Sequence, residues 1–69
     1  MTTEEVYTAI KKSNDENAYI IVYNINNDKI DEAVGQIQDR YQCDEKTAAG
    51  AADLLKVELD KIKERNKQK

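Results

Sequence analysis

The sequence predicts a mostly helical α+β domain of order α-β-α-α, with its single strand pairing across a homodimer. Three observations lead there. The run from Ala18 to Ile25 is rich in β-branched and aromatic residues, which favour extended chain. Nothing else among the 69 residues resembles a second strand. An isolated strand cannot satisfy its own backbone donors and acceptors, so the nearest available edge is the same run in a second copy. The competing arrangement is an all-α bundle of three or four helices in which Ala18 to Ile25 is helical.

Thr2 opens the first predicted helix. Thr2 and Glu5 have capping-box spacing, a hydroxyl for an orphan amide and a carboxylate three residues on. Val6, Tyr7 and Ile10 then form a narrow apolar face, and Lys11 and Lys12 suit the negative end of the helix dipole. Ser13 to Asn17 is a polar break.

In an extended Ala18–Ile25, Tyr19, Ile21, Tyr23 and Ile25 face one side, and Ile20 and Val22 the other. Both faces are apolar, as in a strand covered on two sides. The predicted dimer interface is therefore Tyr19, Ile20, Ile21, Val22 and Tyr23. Leu54 and Val57 are added because they lie off the main stripe of the last helix.

Asn26-Asn27-Asp28 ends the run and caps the next element. Ile30, Ala33, Val34, Ile37 and Tyr41 recur at i, i+3, i+4, i+7 and i+11, an amphipathic helix. Asp31 and Glu32 occupy its first turn. Asp44 then suits the N-cap of a longer helix running to near Arg65, with Ala48, Ala51, Ala52, Leu55, Leu59 and Ile62 as its stripe. So short a link makes these two helices an antiparallel hairpin. Residues 1–65 form one small domain, and 66–69 a frayed basic tail.

Composition narrows the function. A chain this small buries only about 60% of its unfolded surface and needs regular packing, a staple or a partner. There is one cysteine, Cys43, and no histidine, so an intrachain disulfide is excluded and the commonest metal ligand is missing. Acid pairs at Glu4/Glu5, Asp31/Glu32 and Asp44/Glu45 fall at predicted helix starts, where capping explains them. Asp15/Glu16 lacks the spacing and glycine of a calcium loop. Cys43 has no histidine to serve as its base. No enzyme activity, cofactor or metal is therefore expected. Gly50, inside a run of alanines, weakens its helix and hints at a packing reason.

Charge is uneven along the chain. Met1 to Asp53 carries eleven acids against five bases, and Leu54 onward three acids against six bases. An acidic body disfavours nucleic acid as the main ligand, since phosphate binding needs clustered Lys and Arg. No apolar run approaches the ~18 residues of a membrane span, and the start lacks a signal-peptide pattern, so a cytoplasmic location is expected. Abundant Lys, Asn, Ile and Asp suit an AT-rich bacterial or phage genome. Strand followed by two helices resembles the order of ribbon–helix–helix regulators, which read DNA with paired strands. Those ribbons require polar or basic side chains, whereas this run offers Tyr and Ile, so membership is not assigned.

The expected function is that of a small non-catalytic, homodimeric protein-binding module: an adaptor, an immunity protein or a phage-type inhibitor of a larger protein. Tyr7, Tyr41, Asp31 and Glu32 are its candidate partner contacts. The alternative is a small DNA-binding regulator that uses a strand ribbon or the basic C-terminal helix.

Overall fold

The computed structural model describes residues 1–67 and contains four helices, α1 (Thr3–Lys12), α2 (Glu16–Asn26), α3 (Ile30–Tyr41) and α4 (Glu45–Lys67). No strand occurs among the described residues. The α-β-α-α order is thus overturned, and with it the strand that was to pair across a homodimer. The all-α alternative describes the chain.

Ala18 to Ile25 lies inside α2, and its physical reasons are local. The Asp15 carboxylate accepts a hydrogen bond from the Ala18 amide at 2.9 Å, starting a helix before the apolar run begins. At the other end the Lys29 amide bonds the Asn24 carbonyl at 2.8 Å, and the Asp28 amide bonds that of Ile25 at 3.2 Å. Asp28 between them is left-handed, with φ 61°, giving a Schellman closure. With these ends in place, Ala18, Ile21, Val22 and Ile25 fall at i, i+3, i+4 and i+7 on one helical face. Ile21 and Ile25 become fully buried. Each such burial contributes ~1.5–3 kcal/mol, against a helix-propensity penalty of at most ~0.7 kcal/mol per residue. Burial wins, and the helix satisfies its backbone without a second copy.

The other ends follow the sequence more closely. Thr2 and Glu5 form the capping box, with bonds of 3.2 and 2.9 Å. The Asp44 carboxylate accepts from the Thr47 amide at 2.8 Å. One expected cap is displaced: α3 begins after Lys29, which makes no side-chain cap bond, while Asp28 serves the end of α2. Helix α4 continues through Lys67, and the last two residues of the expected frayed tail, 68–69, lie outside the described residues.

Helix α4 is the platform of the fold, and α1, α2 and α3 all pack against it. The core joins Val6 and Ile10 of α1, Ile21 and Ile25 of α2, Ala33 and Ile37 of α3, and Ala48, Ala51, Ala52 and Leu55 of α4. Gly50 lies off that stripe, on the flank of α4 that meets the start of α1. A Cβ there would meet Thr3 Cγ2 at 2.8 Å, so the missing side chain is what lets the start of α1 lie against α4. Gly35, by contrast, faces open space.

Length separates α4 from its neighbours. It has 23 residues, and the others 10, 11 and 12. At 1.5 Å per residue that is about 35 Å, close to the 40 Å long dimension of a molecule 21 Å across. Every residue from Asp60 to Asn66 is exposed.

The two glycines make a paired test. Gly35→Ala is expected to raise unfolding free energy by about 0.5–1 kcal/mol. Gly50→Ala should fall short of that gain, and recover it in a Thr3→Ala background. Denaturant melts of the four chains measure this, and equal gains at both glycines would contradict the close approach.

Candidate functional site

The stripe of α4 continues past the body of the bundle. Leu55 is buried, Leu59 half-buried, and Ile62 is 45% exposed. Helix α2 runs alongside and turns Tyr19 and Tyr23 outward, 72% and 55% exposed, with Val22 half-buried between them. All of these except Tyr23 line an open groove of about 350 Å³, with Ile10 and Ala18 at its floor and Ser13 to Asp15 at one end. A second depression, lined by Tyr19, Val22, Tyr23, Asn26, Leu59, Ile62 and Lys63, extends it. Four of its residues are shared with the first, so the two make one apolar face.

Polar groups bind the groove's rim into the fold. Glu58 accepts a hydrogen bond from the Tyr7 hydroxyl at 2.7 Å and pairs with Lys11 at 2.9 Å, joining α1 to α4. Lys11 also sits 5.1 Å from the centre of the Tyr7 ring. The Lys11 ammonium, followed by the Tyr7 hydroxyl, holds the Glu58 carboxyl below the usual glutamate range. Asp15 pairs with Arg40 of α3, and that guanidinium, followed by the Ala18 amide, lowers the Asp15 carboxyl in the same way. Lys56 of α4 reaches Asp28 of the α2–α3 link at 3.0 Å.

The residues expected at a dimer interface separate. Tyr19, Val22 and Tyr23 line the α2–α4 groove. Ile21 is core, with 2% exposure. Ile20 faces the α3 side with Asn17, Gln36 and Arg40. Leu54 and Val57 lie across α4, in a depression shared with Tyr7, Lys61 and Arg65. A strand would have placed residues 19 to 23 on two flat faces, whereas the helix fans them around its axis.

Of the expected partner contacts, Tyr7 is engaged with Glu58. Tyr41 is half-buried against the core, with the Arg40 guanidinium 5.5 Å from its ring centre. Asp31 and Glu32 are exposed on the first turn of α3, away from the groove. Leu59 and Ile62 were missed as groove residues because their spacing continues a core stripe. The signal that finds them is relative length, since α4 outlasts every helix available to cover it.

Chemistry at the groove is sparse. Among the described residues no three His, Cys, Asp or Glu side chains converge to hold a metal ion. Cys43 is half-buried, with its sulfur 4.0 Å from the Ile37 carbonyl oxygen. Asn24, the one buried polar side chain among the described residues, is satisfied by donating to Gln36 at 2.9 Å. No described helix is long and apolar enough to cross a membrane. No family model, curated protein or solved structure matches the chain.

The α1–α4 clasp has a pH signature. A carboxyl lowered in the folded state stabilises the fold above its unfolded pKa, and that contribution disappears as pH falls through the folded value. Carboxyl titration followed by NMR is expected to place Glu58 below an ordinary glutamate. Lys11→Met should move it upward and lessen the loss of stability on acidification. An unmoved Glu58 in that variant would contradict the clasp.

Proposed function

We propose that the chain is a small non-catalytic protein-binding module of adaptor or inhibitor type, which engages its partner through the open α2–α4 face. One observation carries this reading. Leu59 and Ile62 prolong the core stripe of α4 beyond its covering helices and stand beside the exposed rings of Tyr19 and Tyr23. Contiguous apolar surface rimmed by polar groups marks interaction sites on folded proteins. Tyrosine suits such a role because it offers a large rigid contact area with a polar tip.

The groove is open along its length and lined by two helices, which fits a macromolecular ligand better than an enclosed small molecule. DNA recognition by a strand ribbon falls with the strand. Of that alternative only the basic end of α4 remains, interrupted by Glu64.

Affinity capture from the source cell, quantified by mass spectrometry, tests the module. Wild-type bait is expected to retain at least one protein that a Tyr19→Ser/Ile62→Ser variant of unchanged helicity loses by about tenfold or more. Both positions are exposed, so the variant should fold. Identical capture by the two baits would contradict the proposal.

A further inference from the structure

We infer that the occupant of the α2–α4 face is an amphipathic helix of a partner protein, apolar on one side and acidic along its flank. This rests on the module reading above and adds the chemistry of the partner.

Shape supplies the first argument. Tyr19, Val22 and Tyr23 recur at i, i+3 and i+4 on α2, and Leu55, Leu59 and Ile62 at i, i+4 and i+7 on α4. Two helical ridges with an apolar trough between them match the helix-in-groove mode, in which the incoming helix completes the packing.

Charge supplies the second. Four charged side chains line the two joined depressions: Lys11, Asp15, Glu58 and Lys63. Lys11 is neutralised by Glu58, and Asp15 by Arg40. Lys63 is left without an ion pair among the described residues, although it feels the carboxylate of Asp28, itself paired with Lys56. Lys61 and Arg65 stand on the same projecting segment, on the other flank of Ile62. The apolar stripe therefore ends in a basic margin, although the molecule as a whole carries −3. Carboxylates flanking a partner's apolar face complement that margin.

A second copy fits less well. Of its exposed apolar surfaces, this same face and the Leu54–Val57 depression are both bordered by that basic segment, and Ile20 stands apart on the α3 side. Pairing either with the groove in a parallel orientation sets like charges against each other.

The test uses the full chain and two labelled synthetic helical peptides with one leucine face. One peptide carries glutamates along its flanks, the other lysines. Fluorescence anisotropy at low salt is expected to show the glutamate peptide binding about tenfold or more tightly, with salt weakening it. Lys63→Glu/Arg65→Glu should invert the preference, and Ile62→Asp should weaken the glutamate peptide by about tenfold or more. Equal affinities, no binding of either peptide, or a preference unmoved by charge reversal would overturn the inference. So would duplex DNA binding more tightly than the glutamate peptide. Dimerisation seen by light scattering and abolished by Ile62→Asp would give the face to a second copy, which also overturns it. If protein capture depends on Tyr19 and Ile62 while the peptides fail, only the partner chemistry is wrong. If capture is indifferent to both residues, the module reading fails as well.

Discussion

Four small residues in the first half of α4 govern how closely the other helices approach. Ala48, Ala51 and Ala52 are fully buried, and Gly50 meets Thr3 where a Cβ would collide. Small side chains let backbones come near, and the larger apolar residues of α1, α2 and α3 then fill the space above them. Val6, Ile10, Ile21, Ile25 and Ile37 are the bulky partners. The core is thus asymmetric, with flat alanine on one helix and branched side chains on three. Volume change on either side is costly in packing of this kind.

The same asymmetry leaves a remainder. Alanine gives way to Leu55, Leu59 and Ile62 where the shorter helices are running out. Apolar surface continues along α4 with only one wall of α2 to meet it. Surface pairs then fasten the shorter elements to this platform. Lys11 and Glu58 tie α1, and Lys56 and Asp28 tie the α2–α3 link. Such exposed pairs contribute little to stability; they fix where the groove's walls stand.

Much of the fold could be read from residue spacing alone. The Thr2/Glu5 capping box, the Asp44 cap, the α3 stripe and the α4 stripe all depend on local chemistry that tertiary contacts did not override. Ala18 to Ile25 was misread because two periods fit it. Tyr19, Ile21, Tyr23 and Ile25 satisfy a strand, while Ala18, Ile21, Val22 and Ile25 satisfy a helix. The deciding residue stood outside the run. Asp15 looked like part of a polar break, and its role as an N-cap was overlooked. The site was legible only in pieces. Tyr19 and Tyr23 were singled out, but through a pairing that does not exist, and their neighbours Leu59 and Ile62 looked like core. The opening of the stripe there, with Leu59 half-buried and Ile62 exposed, comes from a comparison of helix lengths, which no local pattern contains.

The central claim is that residues 18–25 are helical and held by the α4 platform of their own chain. Amide hydrogen exchange, followed by NMR at two well-separated protein concentrations, tests it most directly. The amides of Ile21 to Ile25 should exchange as slowly as those of Ala51 to Leu55, at a rate independent of concentration. Fast exchange in Ile21 to Ile25, or protection that grows with concentration, would contradict the account.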